Sequence, residues 1–267
     1  MSTKIEKPAR GTREWAKHNV NIQLGCRKGC AYCYAECMAV RFKRKTAADW
    51  TDPEINWAKV EARHGKKNGR IMFPTTHDID AHNIDACVTV LKSMLAAGND
   101  VLVVSKPRID CVRRLCAELV PFKGQITFRF TIGSADDTVL KAWEPGAPSF
   151  AERLASLKHA FEAGFRTSVS CEPMLDAHID KVVEAARPYV TDSIWLGRAN
   201  QLRQNVAINR PSDAKAKALA DALIATITDD FIRGLYARFR NDTVIKWKDS
   251  LKKVLGIDRP TAKGLDV

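Results

Sequence analysis

The segment GCRKGCAYCYAEC, residues 25–37, contains three cysteines within eight positions, Cys26, Cys30 and Cys33, and a fourth soon after, Cys37. The sequence before it is polar and charged and has no apolar core of a signal peptide. No stretch approaches the roughly 18 uninterrupted apolar residues of a membrane span. We therefore expect a cytoplasmic protein without a membrane contact, in a compartment that keeps thiols reduced. A cysteine cluster there is predicted to bind a metal or to carry out redox chemistry.

The spacing C-x3-C-x2-C leaves two kinds of metal site open. A zinc site prefers C-x2-C pairs and needs a fourth ligand, for which Cys37 is available. Three thiolates on one loop suit a 4Fe-4S cluster that keeps one iron free for another ligand. The remaining cysteines lie singly in apolar patterns, and most of them are predicted to be small buried core residues: Cys87, Cys111, Cys116 and Cys171.

The charge of the chain indicates a polyanionic partner. The 267 residues have a formal net charge of +12 and a pI near 9.4, which favours nucleic acid over a membrane surface. The basic residues are clustered in RFKRK (41–45), RHGKKNGR (63–70), RGLYARFR (233–240) and KWKDSLKK (246–253). Such clusters either bind phosphate groups or form solvated helix faces, and the pattern fits both alternatives.

Short β-branched segments alternate with segments of helical periodicity. Strands are predicted over 19–24, 70–76, 100–106, 125–133, 166–173 and 193–200, and helices over about 31–45, 82–97, 108–119, 149–163 and 178–187. This alternation predicts parallel strands joined by right-handed crossovers, in an open doubly wound sheet or a partial barrel. We expect an N-terminal extension (1–14), one α/β domain (15–205) and a helical C-terminal extension (206–267).

Three segments resemble the radical S-adenosylmethionine (SAM) superfamily and, within it, the spore photoproduct lyase-like family: GCRKGCAYCYA, VLVVSKP and the segment that begins ITFRFTIGSADD. The resemblance extends over roughly residues 19–200. It implies an enzyme with an α/β fold, a partial (β/α)6 barrel of the TIM type. It also implies a 4Fe-4S cluster on Cys26, Cys30 and Cys33, with SAM bound to the fourth iron. Reductive cleavage of SAM would give a 5′-deoxyadenosyl radical that removes a hydrogen atom from the substrate.

The same resemblance assigns further residues to SAM. Lys106 in VSKP matches the family lysine that meets the SAM carboxylate. Thr76 and Thr131 match hydroxyl residues near SAM, and Tyr34 follows the last cluster cysteine, as in the family. A lysine that ends a strand is also a common surface residue. However, α/β folds place their sites at the carboxyl ends of parallel strands, which favours a role for Lys106.

One position departs from the pattern of the family. The lyases have a hydrogen-donating cysteine where Pro74 lies, and proline has no thiol, so we do not expect dimer repair by that route. Cys171, at the end of a predicted strand, is a candidate replacement, with a structural thiol as the alternative. His77, Asp78 and Asp80 offer a substrate-binding or proton-transfer role at another strand end. Helix capping is the alternative for the two aspartates.

Other polar and aromatic residues are weaker candidates. Glu144 lies in EPGAPS, which predicts a turn before a helix capped by Ser149, and the resemblance implies that Glu144 helps to shape the pocket. Arg198 and Asn200 end a predicted strand and suit a substrate phosphate or base, with turn formation as the alternative for Asn200. Trp247 is either a core residue or a surface on which a base stacks.

We therefore predict a radical SAM enzyme, an isomerase or a lyase, that modifies or rearranges a thymine-derived base in DNA. Its expected partners are DNA or a nucleotide and a reductant such as flavodoxin or ferredoxin, and we expect it to act as a monomer. Three alternatives remain: DNA repair of the spore photoproduct lyase type, a radical SAM enzyme on a peptide or small metabolite, and a non-enzymatic, zinc-stabilised nucleic-acid-binding protein.

Overall fold

The computed structural model describes residues 7–266, which form an α/β fold around one curved sheet. The strands are β1 His18–Asn19, β2 Gln23–Leu24, β3 Glu54–Ile55, β4 Ile71–Phe73, β5 Val101–Ser105, β6 Ile126–Thr131, β7 Arg166–Cys171, β8 Ile194–Leu196 and β9 Ile245–Trp247. Seven of them form a parallel sheet in the order β1-β4-β5-β6-β7-β8-β9, and β2 pairs with β3 in a separate antiparallel ribbon. Because β1 and β9 do not pair, the barrel is open, which confirms the predicted partial barrel.

Helices follow the strands along the chain. They are α1 Thr12–Trp15, α2 Tyr34–Arg41, α3 Trp57–Val60, α4 Ile84–Ala96, α5 Ile109–Glu118, α6 Asp137–Trp143, α7 Phe150–Glu162, α8 Ile179–Ala186, α9 Leu202–Asn209, α10 Ala214–Thr226, α11 Asp229–Phe239 and α12 Asp249–Leu255. Short 3-10 helices lie at Val120–Gln125 and Arg187–Tyr189. None of the helices in residues 7–266 combines the length and the apolar character that crossing a membrane requires.

The C-terminal segment, predicted to be helical, also supplies a strand. β9 pairs in parallel with β8, with Ile194 opposite Ile245 and Leu196 opposite Trp247. Ile245 and Trp247 are buried, and Trp247 packs edge-on against Tyr236 with ring centroids 5.2 Å apart. Trp247 is therefore a core residue. The sequence patterns do not predict β9, because three residues are too few to show the two-residue periodicity of a strand between two helical segments.

The first predicted strand is divided in two. Residues 18–19 pair with β4 and residues 23–24 with β3, so the chain changes sheets in between. The side-chain oxygen of Asn21 accepts hydrogen bonds from the backbone N–H groups of Thr75 and Thr76, at 2.7 and 2.9 Å. The backbone pairing between β1 and β4 ends at Asn19. Beyond it, the side chain of Asn21 forms the hydrogen bonds to the segment after β4.

Large side chains fill the concave side of the sheet below the strand ends. Arg129 on β6 lies between two indole rings, 4.9 Å from the centroid of Trp15 and 5.4 Å from that of Trp195. Its guanidinium pairs with Asp266 at 2.9 Å, near the end of the described chain. These side chains fill this part of the interior. The open space lies at the carboxyl ends of the strands, where barrel enzymes have their sites.

Candidate active site

A cavity of about 710 Å³ lies at the carboxyl ends of the strands. Five strands contribute residues from their ends or from the segments that follow: Pro74 to Asp78 after β4, Ser105 and Lys106 at β5, Thr131 at β6, Ser170 and Glu172 at β7, and Arg198 after β8. The loop between β2 and α2 contributes Cys26, Cys30 and Cys33. The structure thus brings the three predicted cluster cysteines and the predicted SAM residues Tyr34, Thr76, Lys106 and Thr131 to one space.

The three thiols lie on a compact loop. Cys26 and Cys30 are buried and Cys33 is partly buried. The backbone N–H of Cys33 donates to the carbonyl of Cys30 at 3.1 Å, and the thiol of Cys33 accepts from the N–H of Glu36 at 3.4 Å as the N-cap of α2. Burial raises the pKa of all three thiols to about 12. The free thiols are therefore protonated at neutral pH, and metal binding would release these protons.

The donor set fits a 4Fe-4S cluster with three protein ligands. Among the described residues that line the cavity, Cys26, Cys30 and Cys33 are the cysteines, while Cys37 is buried elsewhere on α2. Within residues 7–266, no three His, Cys, Asp or Glu side chains are arranged to bind a single metal ion. A 4Fe-4S cluster does not need side chains that converge on one ion, since each thiolate binds a separate iron. Three thiols around one cavity meet that requirement and leave one iron for a further ligand.

Helix α9 holds the cluster loop from behind, which the sequence analysis missed. The side-chain amides of Asn205 and Asn209 and the guanidinium of Arg210 donate hydrogen bonds of 2.6 to 3.2 Å to loop carbonyls. The acceptors are the carbonyls of Gly29, Ala31, Tyr32 and Cys33. Arg210 also pairs with the buried Glu36 at 2.5 Å. The two asparagines four residues apart were the available sequence signal, since that spacing places them on one helix face.

A second anchor of the loop is a buried ion pair. The Tyr32 hydroxyl donates to Glu144, and Glu144 lies 2.5 Å from the Arg153 guanidinium, with the side chains of both charged residues fully buried. Burial and the neighbouring carboxylate raise the pKa of Tyr32 well above its ordinary value. The EPGAPS turn also packs tightly, since a Cβ on Gly146 would lie 2.2 Å from the carbonyl oxygen of Arg27. Glu144 does not itself line the cavity, but it holds Tyr32, which does.

Lys106 is a fixed cation in the cavity wall. Its Nζ lies 3.6 Å from Oδ2 of Asp78 and 5.7 Å from the centroid of the Tyr32 ring. Oδ1 of Asp78 accepts hydrogen bonds from the backbone N–H of Lys106 at 2.6 Å and from the Ser105 hydroxyl at 2.8 Å. Burial by itself would raise the pKa of Asp78, but these partners hold it below the ordinary value. Asp78 is therefore ionised and orients Lys106.

His77 connects two parts of the cavity wall. Its Nε2 accepts from the backbone N–H of Ile22 at 3.3 Å, and its Nδ1 lies 3.1 Å from the carbonyl oxygen of Asp78. Burial lowers the pKa of His77, so the ring is neutral with a proton on Nδ1. Both ring nitrogens are thus engaged with the backbone, and the residue fixes the position of Asp78.

The predicted SAM residues on the other walls are also held. The Tyr34 hydroxyl donates to the carbonyl of Thr75 at 2.5 Å. The backbone of Thr76 is fixed by Asn21, and the carbonyl of Thr131 accepts from Arg153 at 3.3 Å. These contacts involve only the backbone groups of Thr76 and Thr131. Their hydroxyl groups can therefore bind a molecule in the cavity.

Cys171 lies in the core behind the cavity. It is fully buried, whereas its neighbours Ser170 and Glu172 line the cavity, because successive side chains of a strand point to opposite faces. Burial raises its pKa above the ordinary range. Asp80 also lies outside the cavity wall, and its carboxylate accepts from the N–H of His82 at 3.0 Å in the turn before α4. It does not cap that helix, whose N-cap is Asn83. Arg198 lines the cavity and pairs with Asp229 at 3.0 Å.

An open α/β barrel with three thiols and a fixed lysine at its strand ends defines a metal-cofactor enzyme. The sequence profile of the radical SAM superfamily matches residues 20–187, more than half of the chain. The chain therefore belongs to the radical SAM superfamily, and it is a radical SAM enzyme. Membership implies a 4Fe-4S cluster and SAM as cofactors, and the donor set described above fits that cluster.

Comparisons with individual proteins agree with this assignment. An uncharacterised protein of Methanocaldococcus jannaschii is 25% identical over 187 residues, which is 67% of this chain and 69% of that protein. A spore photoproduct lyase variant superposes with a TM-score of 0.56 at 16% identity, covering 91% of this chain and 79% of that one. Another variant, solved with AdoMet and dinucleoside spore photoproduct, gives a TM-score of 0.54 at 19% identity, covering 79% of this chain.

The fold is also shared with a structure that contains S-adenosylmethionine. SuiB of Streptococcus suis bound to S-adenosylmethionine gives a TM-score of 0.50 at 10% identity, covering 84% of this chain and 48% of SuiB. The chain spans slightly less than two thirds, 65% and 66%, of the length of two of the spore photoproduct lyase chains. At these identities, the structural similarities show a shared fold.

Proposed function

We propose that this protein modifies or rearranges a thymine-derived base in DNA, as an isomerase that moves a substituent already attached to the methyl carbon of the base. One observation carries the proposal. Apart from the three cluster cysteines, the described residues that line the cavity include no thiol, and the wall contains Pro74, the residue that the sequence resemblance aligns with the hydrogen-donating cysteine of the lyases. A reaction that returns the abstracted hydrogen to the same molecule needs no such thiol.

The proposed rearrangement leaves the oxidation level of the substrate unchanged, and the one electron that starts the radical chemistry comes from the external reductant. When bound, the cluster and SAM supply the radical that removes a hydrogen atom from the substrate. The bond to the substituent then migrates between two substrate atoms, and the hydrogen atom returns to the rearranged product. The protein holds the substrate and keeps water and other hydrogen donors out of the cavity.

In this proposal, the residues of the cavity wall bind the cluster and SAM. Cys26, Cys30 and Cys33 hold three irons of the cluster. Lys106, oriented by Asp78, binds the SAM carboxylate by a charge-assisted hydrogen bond. The remaining residues assigned to SAM, Tyr34, Thr76 and Thr131, contact it from the walls described above. His77 positions Asp78, and Cys171 has no part in the reaction because it lies in the core.

DNA as the substrate is supported by the charge around the cavity. Besides Lys106, four basic residues line it, and phosphate groups of a nucleic acid bind to such side chains: Arg10, Arg198, Lys253 and Arg259. Arg10 and Arg259 pair with Asp249 and Arg198 pairs with Asp229, so a phosphate would share these three cations with carboxylates. The spore photoproduct lyase structures with a dinucleoside have the same fold. The proposal includes a monomeric enzyme in the cytoplasm that receives its electron from flavodoxin or ferredoxin.

DNA repair of the spore photoproduct lyase type is the second candidate, supported by the structural similarity to those lyases. A comparison of two substrates separates the candidates. Reconstituted enzyme, SAM and reductant are incubated with DNA that contains spore photoproduct, and separately with DNA that contains amino-acid-modified thymine. We expect a product isomeric with the modified thymine. Efficient conversion of the dimer to two thymines, with the modified thymine unchanged, would establish the lyase instead.

A further inference from the structure

The helix after the cluster loop has an exposed apolar row that starts at the cavity. α2 packs against α9 on one side. On another side, Tyr34, Met38 and Phe42 are 49%, 38% and 62% exposed. Residues four positions apart lie on one helix face, so these side chains form a row. Tyr34 also lines the cavity, and the row extends from there over about 12 Å at 1.5 Å per residue.

Basic residues surround the outer end of this row. Arg41, Lys43 and Arg44 are exposed, and within residues 7–266 none of them forms a salt bridge with a carboxylate. The guanidinium of Arg44 lies 5.8 Å from the centroid of the Phe42 ring, a cation-π distance. Lys45, the last residue of this basic cluster, is buried and pairs with Glu54 at 2.5 Å. Three cations therefore remain available to an external anion.

The other basic clusters are partly engaged within the protein. Their ion pairs include Arg70 with Asp266, Arg238 with Asp180 and Glu184, Arg233 with Asp230, and Lys248 with Glu14 and Glu172. Cations that already have carboxylate partners bind phosphate less strongly. In the cluster at residues 63–70, however, Arg63, Lys66 and Lys67 are also exposed and form no salt bridge within residues 7–266. The cluster at residues 41–45 differs from it in lying beside an apolar row that starts at the cavity.

The backbone at Lys43 gives an independent indication. Lys43 has a φ of 54°, in the left-handed region where glycine is favoured, at the position that ends α2. Its N–H donates to the carbonyl of Val40 at 3.0 Å, and the N–H of Arg44 donates to that of Ala39 at 2.8 Å, which closes the helix end. A lysine in place of the less strained glycine points to a use for its charge.

We infer that this face, made of Tyr34, Met38 and Phe42 with Arg41, Lys43 and Arg44, binds single-stranded nucleotides that flank the target base. The inference rests on the proposed function, because a base must leave its stack to enter an enclosed cavity. Exposed aromatic rings stack with bases of any sequence, and the cations neutralise phosphates.

The test compares variants with equal net charge. Fluorescence anisotropy measures the affinity of the reconstituted enzyme for a fluorescein-labelled single-stranded DNA of about twenty nucleotides at several salt concentrations. The test variant is Arg41→Gln/Lys43→Gly/Arg44→Gln. The control variant, Lys158→Gln/Arg203→Gln/Arg233→Gln, removes three exposed cations that pair with carboxylates elsewhere. Phe42→Ser tests the stacking separately.

We expect the test variant to bind at least ten-fold more weakly and to reduce the salt slope by about 2, since each phosphate contact on a single strand contributes about 0.7. Phe42→Ser is expected to weaken binding by roughly five-fold or more. The control variant should bind nearly as tightly as the wild type. Lys43→Gly alone should lower affinity without lowering the melting temperature, because glycine suits the backbone at that position.

Three outcomes would overturn the inference. If the test variant keeps wild-type affinity and salt slope while the wild type converts its substrate, the strand binds elsewhere and the proposed function stands. If the wild type shows no salt-dependent DNA binding, DNA is not the substrate and the proposed function fails as well. If the test variant keeps its DNA affinity but loses reduction by flavodoxin and not by dithionite, the face binds the electron carrier.

Discussion

Lys106 lies 3.6 Å from Asp78 in the cavity wall, with its ammonium group close to the loop of the cluster cysteines. The carboxylate of Asp78 is itself fixed by the Ser105 hydroxyl and by the backbone N–H of Lys106. Since the pair is buried and fully engaged, Lys106 has little freedom to move. A preoriented cation at this point is suited to a carboxylate of a bound cofactor.

Lys106→Ala is expected to weaken SAM binding by roughly ten-fold or more, because a hydrogen bond to a charged group contributes about 1.5–3 kcal/mol. The cluster spectrum should remain unchanged. Equilibrium binding of SAM to the reconstituted enzyme measures the effect, and Lys92→Ala, at an exposed pair with Glu118, is the control. Wild-type SAM affinity in the Lys106 variant would remove this residue from the SAM site.

Each of Cys26→Ala, Cys30→Ala and Cys33→Ala should abolish SAM cleavage, because each thiolate binds its own iron and no further cysteine lines the cavity in the described residues. Cys37→Ala should keep both cluster and activity, since Cys37 is buried away from the cavity. Iron content and the absorption of the reconstituted cluster provide the readout. A Cys37 variant that loses iron as completely as the Cys30 variant would mean four protein ligands.

Asn209→Leu should loosen the cluster loop, because the amide of Asn209 donates to two of its carbonyls, at 2.9 and 3.1 Å. We expect less iron per chain after reconstitution and faster loss of the cluster signal in air, with the fold retained. Arg203→Leu on the exposed side of the same helix, where the side chain is 69% exposed, is the matched control. Equal cluster retention in both variants would show that the contact is dispensable.

Arg153→Met should lower the free energy of unfolding by about 3–5 kcal/mol, because it leaves the fully buried Glu144 carboxylate without its counterion. Chemical denaturation of the cofactor-free protein measures this change. Lys158→Met lies on the same helix, and its exposed pair with Glu162 is expected to contribute less than about 1 kcal/mol. A change below about 1 kcal/mol for Arg153→Met would mean that the buried pair contributes little to stability.

Much of the fold and part of the site follow from local sequence signals. The alternation of strands and helices predicts the parallel sheet, and the cysteine spacing with Lys106 at a strand end predicts two walls of the cavity. The spacing of Asn205 and Asn209 shows that they share a helix face, but their partners on the cluster loop cannot be predicted locally, because they lie 173 to 178 positions away. The burial of Cys171 depends on which face of β7 points to the cavity, and sheet curvature decides that.

The fate of the abstracted hydrogen tests the central claim most directly. Reconstituted enzyme converts modified-thymine DNA in D2O, and mass spectrometry of the product nucleoside measures deuterium incorporation. Because no thiol other than the cluster ligands lines the cavity in the described residues, the hydrogen should return from the same molecule. We predict a product without deuterium at carbon. Incorporation of about one deuterium atom per product would contradict the account, since it requires a solvent-exchangeable donor such as a thiol.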